Sequence, residues 1–121
     1  MHYRSAVTIA SRSAPGVELQ IRKASFARRL EIMRRIRDLS EQMDRLRAAG
    51  GARATMDAIL IGAAVDRIYV SCGVAEVTGL ELDGRPATPA ALAEGGPEAL
   101  FQEALRAVRE QFEQKEDGNG R

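Results

Sequence analysis

From Phe26 to Ala48 the chain runs without a single glycine or proline, and Gly50-Gly51 then breaks the run. No other feature restricts the fold as tightly. The Leu, Met, Arg, Glu and Gln residues that fill this stretch are good helix formers. Ser25 offers a hydroxyl to cap the first turn, and Gly50 suits the left-handed conformation in which helices end. The pattern predicts a helix over about 26–48, about 33 Å long at 1.5 Å per residue. Two apolar stripes run along it. Phe26, Leu30 and Met33 form one; Ile32, Ile36, Leu39, Met43 and Leu46 form the other. The second has the 4-3-4-3 spacing of a heptad seam, but it lasts only about two heptads, which suits helix packing within a domain better than a long coiled coil.

A second helix is expected over about 52–72. Met56, Ile59, Leu60, Ala63 and Ala64 make a broad apolar face, and Ile61, Val65, Ile68 and Cys72 widen it until the helix is apolar almost all round. Such a helix is central or lies at an interface. The short Gly loop between the two helices implies that they pack antiparallel.

The flanks carry different signals. Val7 and Ile9, then Val17, Leu19 and Ile21, alternate with polar residues around the turn-forming stretch Ser11–Gly16. This predicts a β-hairpin over about 6–22. Two strands alone are marginal, so the hairpin must pack on a helix or pair with a partner's strand. After the second helix the helical period is lost, and residues 73–88 read as an irregular or extended connector with turns at Asp83-Gly84 and Pro86. Thr88-Pro89 opens a short helix over about 89–94, ended by Gly95-Gly96. A last helix over about 97–113 carries Leu100, Phe101, Ala104, Leu105, Val108 and Phe112 at helical spacing. Residues 115–121 read as a flexible polar tail. The expected fold is therefore α+β, mainly α, a single domain over 1–114. It comprises an N-terminal β-hairpin, an antiparallel helix pair, a turn-rich connector and a C-terminal helix.

At 121 residues and 45% apolar content the chain can bury a core of its own. One cysteine, Cys72, excludes an internal disulfide. There is no apolar run long enough to span a bilayer and no apolar core of a secretory signal near the N-terminus, so a cytosolic protein without membrane attachment is expected. Charge is uneven: residues 1–61 hold 12 Arg/Lys against 6 Asp/Glu, and residues 62–121 hold 6 against 11. Such asymmetry fits a nucleic-acid face, two mutually attractive surfaces, or ordinary solvated faces.

Reactive chemistry is sparse. His2 and Cys72 are the sole residues of their types, too few for an ordinary zinc site. Cys72 reads as a small core residue, since a nucleophile needs a paired base and His2 sits at the far terminus. Glu76, Glu81 and Asp83 flank a turn and read as solvated loop charges. The glycines match no phosphate-binding fingerprint. A non-enzymatic protein without cofactor or metal is expected. Arg22, Lys23, Arg28, Arg29, Arg34, Arg35 and Arg37 could meet phosphates. Interleaved Glu31, Asp38, Glu41 and Asp44 oppose that, and several pairs fall at ion-pair spacing along the helix, so nucleic acid is disfavoured.

The stretch SRSAPGVELQIRKASFARRLEIMRRIRDL, and then DRIYVSCGVAEVTGLELDGRPATPAALAEGGPEALFQEALRAV, resembles the small tail assembly chaperones of tailed phages and prophages. A strand leads into a basic S-F-x-x-R helix. A helix ends near GVAEVTGL, the LDGRPAT turn follows, and a short helix precedes the last one. The likeness extends over about Val7 to Phe112 and departs at Ser71-Cys72, where a tryptophan is expected. It implies a role in the bacterial host cytoplasm: binding the hydrophobic helices of the tape measure protein and assisting recruitment of tail tube protein. A chaperone of this kind needs an exposed apolar surface rimmed by charge. One stripe of the 26–48 helix would pack internally and the other would meet the partner or a second copy. Ile32, Ile36, Leu39, Met43 and Leu46 are the candidate interface. The alternatives are a structural tail or head-completion component, and a small DNA-binding regulator using the basic helix.

Overall fold

The computed structural model describes residues 1–113; the expected tail over 115–121 lies outside them. In chain order the elements are β1 (Ala6–Ala10), β2 (Glu18–Arg22), α1 (Phe26–Ala49), α2 (Gly51–Gly73), β3 (Val74–Thr78), β4 (Glu81–Leu82), β5 (Arg85–Pro86), α3 (Pro89–Gly95) and α4 (Glu98–Glu113). The fold is mainly helical with an N-terminal antiparallel hairpin, two packed helices and a C-terminal helix, as the periodicity implies. The local punctuation acts as its chemistry dictates. Ser25 Oγ accepts from Arg28 N–H at 3.2 Å and Thr88 Oγ1 from Ala91 N–H at 3.1 Å, each satisfying a donor that the first helical turn leaves orphaned. Gly50, at φ 70°, ends α1 and begins α2, a conformation that a Cβ disfavours. Asp83 and Gly84, both at positive φ, make the two-residue turn that joins β4 to β5.

The expected connector over 73–88 needs correction at its start. Val74–Thr78 is a strand, and it completes an antiparallel sheet in the order β1-β2-β3. The hairpin therefore gains its third strand from within the chain. Leu19 pairs with Val77 and Ile21 with Val74, and the register shifts between Gln20 and Ile21. One residue separates the partners on β2 and two on β3, so β3 carries one extra residue, a β-bulge. The bulge lets Val74 and Val77, three apart in sequence, both face the core. A strict period of two cannot register such a strand.

The core lies where the sheet meets α3, α4 and the C-terminal end of α2. Leu19, Ile21, Val70, Val74, Leu92, Leu100 and Val108 are its most enclosed large side chains. α4 buries Leu100, Ala104, Leu105, Val108 and Phe112 as its spacing predicts. Cys72 is a buried free thiol, and burial pushes its pKa up. Among the described residues no helix is long and apolar enough to cross a membrane.

A candidate protein-binding surface on the helical hairpin

Beyond this core α1 and α2 continue as an antiparallel hairpin with almost no enclosed side chains. Ile32 is the one buried residue of α1, and the buried residues of α2 begin at Val70. Between them, from Met33 to Tyr69, no residue is buried. The base of this arm is tied to α4 by Arg109. Its guanidinium reaches Asp66 at 2.8 Å and Glu113 at 2.9 Å, and it lies over the Tyr69 ring at 4.4 Å. Among the described residues, no side-chain hydrogen bond from the core reaches further along the arm than Asp66.

The structure covers the two stripes of α1 unequally. Ile32 is 3% exposed and Ile36 packs against the core. Leu39 and Met43 line a crevice with Gly62 and Val65 of α2, and Leu46 lines another with Leu60 and Ile61. Of the five candidate interface residues, Ile32 is therefore buried in the core, Ile36 is half-buried against it, and Leu39, Met43 and Leu46 are half-buried along the side of α1 that meets α2. The reason is geometric: Gly50-Gly51 folds α2 back along the longer stripe, and a heptad seam suits one neighbouring helix, whichever helix arrives. In the shorter stripe Leu30 is half-buried and the other two residues stay open. Phe26 is 79% and Met33 59% exposed.

A further apolar surface is left free, apart from the five candidate interface residues. It lies on the outer side of α2, where Met56, Ile59 and Leu60 are 63%, 62% and 66% exposed. With Ala63, also exposed, they occupy one face at i, i+3, i+4 and i+7, the pattern of a helix side built to be covered. Arg53, Asp57 and Arg67 border it. Leu60 also closes a shallow groove with Gln42, Arg45, Leu46, Ala49, Asp57 and Ile61. The surplus of apolar positions on the second helix was the signal that could have found this surface, because α1 and the core can cover only part of such a helix.

Glu103 on α4 receives Ser11 Oγ at 2.6 Å, Arg12 N–H at 2.7 Å and Ser13 Oγ at 2.9 Å, which fastens the β1–β2 turn to the helix. Burial alone would raise the pKa of this carboxyl, but those hydrogen bonds outweigh it and hold it below the usual carboxylate range. Arg28 and Arg35 flank Glu31 at 2.9 and 3.4 Å, so part of the basic charge of α1 is answered on the helix itself. Comparison of the chain with protein-family models, with curated proteins and with solved structures found no match.

Proposed function

We propose that this chain is a non-enzymatic tail assembly chaperone, acting in the host cytoplasm, that binds apolar helical segments of a phage tape measure protein and assists assembly of the tail tube around it. The resemblance in its turn and cap motifs suggests the family. The observation that carries the reading is the outer face of α2: Met56, Ile59, Leu60 and Ala63 form an exposed apolar strip on a helical arm, bordered by charge. An amphipathic helix laid along this strip would bury its own apolar side against it, the helix-on-helix mode of peptide recognition. Exposed apolar area of this kind marks interaction sites.

The test is co-expression with a tape measure protein from the same genome. The chain should raise the soluble yield of the tape measure protein and co-elute with it. Continued insolubility of the tape measure protein, with no co-elution, would sink the proposal. Mass spectrometry of purified particles separates the chaperone from a structural component, since a chaperone is absent from the finished tail.

A further inference from the structure

The side of α1 turned away from α2 carries a second pattern. Leu30, Arg34, Arg37, Glu41, Asp44 and Ala48 are spaced 4-3-4-3-4, another heptad seam. At about 100° per residue, Leu30 and Ala48 lie on the opposite side of the helix from Leu39, which faces α2. Leu30, Met33, Arg34, Arg37, Glu41 and Asp44 line one groove of this helix, which reaches round to Ile36 and Ser40. Its charges lack partners: among the described residues Arg34, Glu41 and Asp44 form no ion pair, and Arg37 reaches only the adjacent Asp38 at 3.8 Å.

The order of these residues is palindromic in chemistry. Two basic residues are followed by two acidic ones, and an apolar residue closes each end. We infer that this face of α1 binds the same face of a second copy, antiparallel about a two-fold axis near Leu39. In that register Arg34 lies level with Asp44 of the second copy, Arg37 with Glu41, and Leu30 with Ala48. These are the a-to-d layers of an antiparallel coiled coil. A closed two-fold contact of this kind uses one patch twice, so each opposite-charge pair occurs twice. A parallel arrangement would set Arg34 and Arg37 against themselves. Arg suits such pairs because its planar guanidinium can bind a carboxylate through two parallel hydrogen bonds, and Met33 adds apolar area beside the charged layers. The α2 faces remain free on the two outer sides of the dimer, so this inference does not depend on the chaperone role.

Sedimentation analysis of the full chain at low salt tests it. The wild type should run at twice the 13.2 kDa chain mass. Arg34→Glu with Arg37→Glu makes the face wholly acidic, and Glu41→Arg with Asp44→Arg makes it wholly basic. Each variant should be monomeric with unchanged helical circular dichroism, and an equal mixture of the two should restore the dimer. The charge-swapped chain Arg37→Glu with Glu41→Arg keeps the palindrome and should dimerise as the parent does, which guards against loss of fold in the other variants. A monomeric wild type, reversed variants that remain dimeric, a folded mixture that stays monomeric, or a monomeric swapped chain would each overturn the inference.

Discussion

Arg109 on α4 and Asp66 on α2 stand 2.8 Å apart at the point where the helical arm leaves the core. The same guanidinium stacks on Tyr69, one turn further along α2. Both partners of the ion pair are about one-third exposed, so the pair is screened and its own contribution is modest. Its position matters more than its strength, because among the described residues it is the last side-chain tie from the core before the arm. Arg109→Met should cost about 1–2 kcal/mol, combining a partly exposed ion pair with a cation–π contact. Hydrogen exchange should show faster opening around Asp66 and Tyr69 than around Val70 to Val77, where the core is closed. Uniformly unchanged protection would show that Arg109 does not brace the arm.

Glu103 gives the fold a dependence on acidity. Its folded pKa is depressed by the hydrogen bonds from Ser11, Arg12 and Ser13, against the opposing effect of burial. The stabilisation is therefore complete above the unfolded value, about 4.3 for a glutamate, and is lost as pH falls through the lower folded value. Glu103→Gln should lower stability by about 1–2 kcal/mol at neutral pH, the scale of lost charge-assisted hydrogen bonds. Urea melts of the two proteins should converge below the normal glutamate range. A constant difference from pH 7 to pH 3 would contradict the assignment.

Gly73 closes the junction of α2, β3 and α4. A Cβ placed there would stand 2.3 Å from Cγ1 of Val108, far inside van der Waals contact. Gly73→Ala should cost about 1–3 kcal/mol through overpacking. The penalty should shrink in a Val108→Ala background, where the obstructing methyls are gone. Denaturation of the four proteins of the double-mutant cycle measures this coupling. Additive losses would place the strain elsewhere.

The parts of this fold that were legible in the sequence are those set by neighbours along the chain. Ser25 and Thr88 cap the helices they precede, Gly50 breaks the long pair, and Asp83-Gly84 turns the chain, because each acts through its own backbone. β3 was not legible, since its bulge places Val74 and Val77 on one side and removes the alternation that marks a strand. The stripe assignment was also out of reach. Phe26, Leu30 and Met33 are as apolar as Ile32, Ile36 and Leu39, and only the direction from which α2 returns decides which set is covered. The exposed strip at Met56, Ile59 and Leu60 follows from the same fact, because α2 is apolar on more sides than its neighbours can enclose.

The two apolar sets of the arm call for opposite outcomes, and a paired substitution on each tests the central claim most directly. Met56→Glu with Leu60→Glu changes the outer face of α2, whereas Ile36→Glu with Met43→Glu puts charge into the seam between the helices. Co-elution with the tape measure protein and circular dichroism are measured for both. The outer-face variant is expected to keep its helical signal and lose the tape measure protein, while the seam variant is expected to lose helical structure itself. An outer-face variant that still co-elutes at the wild-type yield, or a seam variant that folds normally but no longer binds, would contradict the assignment of the α2 face as the binding surface.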